Sequence, residues 1–143
     1  MSQNMSDNNM DQHHFLLPQF PRELGVVLEE VDKDLVVASM VVTASHNNRN
    51  GVMHGGAIMA LTDTLGGVAA AVNLAEGERT TTVESKTSFL RPIAIGETIK
   101  ARCEPVKKGR KISIWQTTVY RQDGKACALT LQTQMTLTAE DLR

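Results

Sequence analysis

The sequence predicts an α+β fold in which one long central helix is wrapped by a curved antiparallel sheet of about six strands. Three observations lead there. Residues 50–75 form a long run of apolar and small residues, and Asp63 is the only formally charged side chain between Arg49 and Glu76. Two β-rich segments precede that run and four follow it. One helix cannot cover both sides of a six-stranded sheet, but one strongly curved sheet can wrap it.

At 143 residues the chain has the length of one domain. That length buries a core without help from disulfides or a metal. Its 15 basic and 16 acidic residues nearly cancel, which argues against a general nucleic-acid or membrane partner. Aromatics make up 3% of the chain, too few for stacking platforms on single-stranded nucleic acid. Cys103 and Cys127 fall in strand-like segments without CxxC spacing, and read as reduced core thiols of a cytoplasmic protein. The N-terminus lacks a basic stretch followed by an apolar one, so no secretory signal is expected. Residues 50–75 approach the length of a membrane span. They hold Asn50, His54, Thr62, Asp63, Thr64 and Asn73 and are mainly Ala and Gly, so a buried helix fits better.

Residues 1–14 are polar and of low complexity, and read as a flexible tail ahead of a single domain over 15–143. His13 and His14 have no ligand-type neighbours at useful spacing, so no metal site is expected. Residues 15–24 place Phe15, Leu16, Leu17, Phe20 and Leu24 around Pro18 and Pro21, a short helical turn or lid. Residues 25–31 and 35–43 are β-rich and flank Asp32-Lys33-Asp34, which predicts a hairpin. A polar connection over 44–53 leads to a helix over 55–74. Ile58, Leu61, Leu65, Val68 and Val72 share one face of it. Ala60, Gly67, Ala70 and Ala71 form the other side, and Asp63 lies with them. One face suits a sheet; the other lets a second backbone come close, which compensates for Gly66-Gly67 weakening the helix by roughly 1 kcal/mol each. Residues 80–90, 98–105, 111–121 and 125–138 read as strands, with turns at 91–96, 107–110 and 122–124. In the last strand Cys127, Leu129, Leu131, Met135 and Leu137 face one way and Thr130, Gln132, Gln134 and Thr136 the other. That is the alternation of a sheet with one buried face.

The pattern Asn48-x5-His54-Gly55-Gly56-x6-Asp63, opening a helix between a hairpin and a meander, resembles the hotdog-fold acyl-CoA thioesterases of the phenylacetate-degradation (PaaI-like) type. The segments TTVESKTSFLRPIAIGE and KKGRKIS resemble the corresponding strands of that family. The likeness covers about residues 25–137.

The residues themselves fit that chemistry. Thioester hydrolysis needs a donor for the oxygen that becomes negative and a group that attacks or activates water. Gly55, at a helix start, offers a free N–H where the helix dipole favours negative charge. Its missing side chain lets a carbonyl approach. Asp63 supplies a carboxylate that acts as general base or as nucleophile. Gly55 and Asp63 are eight residues apart, about 12 Å along one helix, so both cannot reach one carbonyl carbon. A working site then takes Gly55 from one chain and Asp63 from another, in a homodimer of antiparallel helices with two equivalent sites.

The resemblance implies further roles. Asp63 is the catalytic carboxylate and Gly55 N–H polarises the thioester carbonyl. His54 and Asn48 orient the thioester end, with Asn47 and Asn50 as neighbouring competitors for the Asn48 part. Thr82 stands where family members often have a serine that helps hold water near the carboxylate. The resemblance also implies a homotetramer of two dimers. It points to the turn with Phe89, Leu90, Arg91 and Pro92, and to Lys107, for binding coenzyme A. The phosphates of that group call for basic residues, and Arg91, Lys107, Lys108, Arg110 and Lys111 are the candidates. No Walker-type or dinucleotide glycine motif occurs, so no cofactor is expected; coenzyme A enters as part of the substrate. Phe15, Leu17, Phe20, Met53 and Met59 are candidates for an acyl or aryl pocket. Two other readings stay open: hydrolysis of acyl-carrier-protein thioesters, and acyl-CoA binding without turnover.

Overall fold

The computed structural model describes residues 16–143, so the polar tail, His13, His14 and Phe15 lie outside the described residues. A short helix, α1 (Gln19–Leu24), is followed by strands β1 (Val27–Asp32) and β2 (Leu35–Val41), the long helix α2 (Gly55–Ala71), and strands β3 (Arg79–Phe89), β4 (Thr98–Lys108), β5 (Ile112–Tyr120) and β6 (Ala126–Leu137). The strands form one sheet in the order β1-β2-β4-β5-β6-β3, and every neighbouring pair is antiparallel. After the helix the chain crosses to the far edge, so β3 pairs only with β6.

Helix α1 forms as expected around its two prolines. Pro18 precedes the first turn, where no N–H is needed, and Gly25 closes the helix with φ 104, the left-handed conformation that favours glycine. Asp32 and Leu35 pair across a two-residue turn, giving the expected hairpin. Helix α2 buries Ile58, Leu61, Leu65 and Val68, the apolar face read from the sequence. They meet Val36, Ala38, Met40, Ile99, Ala101, Cys103, Trp115 and Val119 from the sheet. The helix ends at Ala71 rather than 74, because the Asn73 side chain donates to the Ala69 carbonyl at 2.8 Å and closes the last turn. Ala70 joins the core at 5% exposure, so the solvent-side stripe is Gly56, Ala60, Asp63, Gly67 and Ala71.

Two strands depart from expectation. β4 continues past Pro105 to Lys108 through a bulge between Pro105 and Lys107, which absorbs the missing proline N–H. Lys107 therefore pairs with Ile114 inside the sheet instead of sitting in a turn. In β6 it is the polar row that faces the helix. Thr130, Gln132 and Gln134 are at most 1% exposed, while Leu131 is 48% exposed on the outer face. Hydrogen bonds explain the inversion. Thr87 and Thr130 share one at 2.8 Å, Thr130 donates to Thr62 at 2.9 Å, and Thr62 donates to the Met59 carbonyl at 3.2 Å. The two glutamines serve the site described below.

No helix among the described residues is long and apolar enough to cross a membrane. Burial raises the Cys103 thiol from 9.0 to about 11, and Cys127 is raised for the same reason. Between those two pH values the unfolded chain releases a proton that the folded chain keeps, so stability falls as pH climbs through that window. At pH 8 burial keeps both thiols protonated. Native protein is expected to leave a thiol-reactive dye uncoloured at pH 8, and guanidinium-unfolded protein to titrate two thiols.

Candidate active site

Asp63 projects from the middle of α2 toward β3 and β6. Its Oδ1 accepts a hydrogen bond from Thr82 Oγ1 at 3.1 Å and one from Gln132 Nε2 at 2.8 Å. Gln132 Nε2 also reaches Thr82 Oγ1 at 3.2 Å, and Gln134 Nε2 donates to the same hydroxyl at 2.6 Å. Thr80 in turn donates to Gln134 Oε1 at 2.9 Å. A threonine hydroxyl has one hydrogen and two lone pairs. Thr82 gives its hydrogen to Asp63 and both lone pairs to the glutamines, so it has no capacity left to hold water. Its part is to anchor the carboxylate, which differs from the water-holding role that the resemblance implies.

Gln132 Oε1 is buried and has no hydrogen-bond partner among the described residues. Such an orphaned oxygen costs about 1–3 kcal/mol. It lies against Gly66, where an added Cβ would come within 1.5 Å of it. Residue 66 is thus glycine for steric room. Oδ2 of Asp63, by contrast, has no hydrogen bond among the described residues. The side chain lines a cavity of about 480 Å³ with Thr80, Thr82, Gly67, Leu16 and Phe20.

The Gly55 end of the helix is built separately. A bridge between Asn47 and Met53 and the bond from His54 N–H to the His46 carbonyl at 2.7 Å tie down the loop before it. His54 is the N-cap, and its Nδ1 accepts from Gly56 N–H at 2.8 Å. In the neutral ring the hydrogen then sits on the exposed Nε2. As the first helical residue, Gly55 has no intrahelical acceptor for its N–H. The Phe89 ring covers its Cα side, 3.2 Å from where a Cβ would stand. Asn48 shapes the turn: its Oδ1 accepts from Asn50 N–H at 2.8 Å and Val52 N–H at 3.2 Å, which leaves its amide hydrogens free. Asn48 and Gly55 line a second cavity, of about 330 Å³, with Phe89, Leu90, Arg91 and Pro92. Arg91 donates to the Ala126 carbonyl at 2.7 Å and Arg121 to the Pro92 carbonyl at 3.1 Å, and the Leu90 and Arg91 N–H groups both donate to the Cys127 carbonyl, so this turn is tied to its surroundings along its length.

One protomer therefore brings together Asp63 with Thr82, and Asn48 with Gly55 and the 89–92 turn, but not the two groups with each other. Lys107 lies outside both cavities, and Arg110 lines a third one near Asn73 and Trp115. Of the candidate acyl-pocket residues, Phe20 lines the Asp63 cavity, Leu17 is core, Met53 is buried beneath the Gly55 cavity, and Met59 is exposed on the helix. Gln132, Gln134, Thr80 and Gly66 are the site residues that sequence reasoning missed. Their one signal was a pair of glutamines two apart in a strand, which the alternation assigned to solvent. Among the described residues no three His, Cys, Asp or Glu side chains gather as a metal site would need.

A family model described as the thioesterase superfamily matches residues 50–128, which include Gly55, Asp63, Thr82 and the 89–92 turn. The chain belongs to the thioesterase superfamily. It is similar to the proofreading thioesterase EntH of Klebsiella pneumoniae, with 32% identity over 104 residues, covering 73% of this chain and 75% of that protein. The PaaI protein of the phenylacetic acid degradation operon of E. coli shares the fold at a TM-score of 0.81 and 23% identity, over 90% of this chain and 91% of the other. A Streptococcus mutans protein bound to acetyl-CoA shares it at a TM-score of 0.78 and 22% identity, over 85% and 94%. The wrapped helix is thus the hotdog fold that this chain shares with PaaI, and the protein is a thioester hydrolase.

This thioesterase needs glycine at position 66 to house the Gln132 amide. Gly66→Ala would ordinarily gain roughly 1 kcal/mol of helix propensity. Here it is expected to lose about 1–3 kcal/mol, read as a lower urea midpoint, because the new methyl overpacks a closed site.

Proposed function

We propose that this thioesterase hydrolyses acyl-CoA or aryl-CoA thioesters to the free acid and coenzyme A. In this reading the site is shared between the subunits of a homodimer. The observation that carries the proposal is Asp63: a carboxylate anchored through Oδ1 from the sheet side, with Oδ2 unpartnered among the described residues and the side chain lining a cavity of about 480 Å³. Oδ2 is the oxygen that meets the thioester carbon or the water that attacks it. Gly55 N–H and the positive end of α2, from the other subunit, take the charge that develops on the carbonyl oxygen. The Asn48 amide lines the same cavity as Gly55 and is a further donor, and His54, the helix cap, offers Nε2–H from outside that lining. Where Oδ2 takes a proton from the attacking water, collapse of the adduct breaks the C–S bond, leaves the free acid and passes that proton to the thiolate departing along the 89–92 turn; where Oδ2 attacks, collapse leaves an acyl–Asp63 anhydride that a water then opens to the acid. Arg91, Lys107 and Arg110 are the basic residues offered to its phosphates.

The shared site is supported by two features on one side of the molecule. The α2 stripe of Gly56, Ala60, Gly67 and Ala71 is nearly free of bulky side chains, and a Cβ at Gly67 would meet nothing within 4 Å. The edge strand β3 adjoins it through the Asp63–Thr82 bond and runs for 11 residues with one side unpaired. A second copy covers both at once. Leu131, Val83 and Ile112, exposed on the sheet, are available to join two dimers into the proposed tetramer. Two buried free thiols support a cytoplasmic location.

Thiol release from a panel of aryl- and fatty-acyl-CoA substrates tests the reading. Asp63→Asn is expected to lose at least ~100-fold in kcat with fold and oligomer intact. Near-normal turnover in that variant would sink the assignment, and a large preference for acyl-carrier thioesters would sink the acyl-CoA substrate. Gly67→Arg is expected to give a folded monomer, by light scattering, without thioesterase turnover. A fully active monomer would refute the shared site.

A further inference from the structure

We infer that Gln132 is a positioning residue: it fixes the Asp63 carboxylate so that Oδ2, and not Oδ1, is presented to the substrate. The inference rests on the reading of Asp63 as the catalytic group. Gln132 is 1% exposed and donates from Nε2 to Asp63 Oδ1 at 2.8 Å. Its second donor direction goes to Thr82 Oγ1 at 3.2 Å. The amide can point only this way. Reversed, its oxygen would face the carboxylate and a hydroxyl whose hydrogen is already committed to Asp63.

Stability alone accounts poorly for this residue. Its Nε2 hydrogen bonds contribute to folding, but its buried oxygen has no partner among the described residues and offsets part of that gain. The chain has nevertheless kept room for that oxygen by having glycine at 66. It has also committed Gln134 and Thr80 to hold the Thr82 hydroxyl in register. What the arrangement achieves is orientation. A carboxylate on a helix surface turns freely unless donors hold one of its oxygens. Here two donors reach Oδ1 from the sheet, Oδ2 has no partner among the described residues, and the side chain lines the cavity. Groups that orient a reacting group in this way commonly change activity by 10–100-fold when removed.

The test is Gln132→Met, which keeps the length and removes the donor. We expect kcat to fall roughly 10–100-fold, KM to stay within about threefold, and the urea midpoint to hold or rise. In an Asp63→Asn background the same change should remove less than about twofold of the residual rate, since Gln132 acts through Asp63. Gly66→Ala, which pushes the amide off Oδ1, should lower kcat with the same unchanged KM and is the second route if the first variant folds poorly. A Gln132→Met enzyme with wild-type kcat beside an inactive Asp63→Asn would overturn this inference alone. Equal losses in both backgrounds would mark Gln132 as structural and overturn it too. An active Asp63→Asn would overturn the catalytic reading and this one together.

Discussion

Asp63, an exposed carboxylate in the middle of an otherwise uncharged helix, is hydrogen-bonded from two strands outside that helix, and much of this structure follows from how those bonds are supplied. The donors come from β3 and β6. To supply them, β6 turns its glutamines and threonines inward and its leucines outward, against the ordinary partition of residues. Gly66 is vacated of a side chain to admit Gln132. On β3 a bulge between Thr82 and Glu84 shifts the register against β6, so that Thr80 and Thr82 on one side and Ser85 and Thr87 on the other all lie toward the helix. A local departure from apolar burial at one position has propagated along two strands.

This explains which parts of the molecule were legible in the sequence. The helix and six strands could be read because their periods are set by backbone geometry, which holds whatever the site demands. Asp63 and Gly55 could be read because each breaks a local pattern: a charge in an apolar run, a glycine where a helix begins. The facing of β6 could not. Alternation separates a strand into two rows, but it names the buried row only by assuming that this row is apolar. Leu129 and Leu131 satisfied the assumption and Gln132 and Gln134 violated it. Places where the local rule fails are where a site is to be expected. Smaller misses have the same character. Asn73 ends α2 through a side-chain bond, and a bulge carries β4 past Pro105; neither is visible to a periodicity count.

The hydrogen-bond inventory also redistributes roles among the motif residues. His54 and Asn48 each spend one atom on local structure, His54 in capping Gly56 and Asn48 in holding Asn50 and Val52. Each keeps a donor in reserve, Nε2–H and the amide hydrogens. These local parts as cap and turn former leave the functional ones open. Thr82 has nothing in reserve, which is why its part shifts from water to carboxylate.

The rigidity of α2 carries the last step. Rise per residue fixes Gly55 and Asp63 about 12 Å apart, and no side-chain motion can close that gap. The two ends therefore face different cavities: one is lined by the anchored Asp63, the other by Gly55 and Asn48 with no carboxylate among its lining residues. Antiparallel stacking of two such helices, small stripe on small stripe, would bring the unlike ends together twice. On that view the small residues opposite the core and the anchoring of Asp63 answer one need. The stripe sets how closely the second helix comes, and Gln132 sets which oxygen it meets.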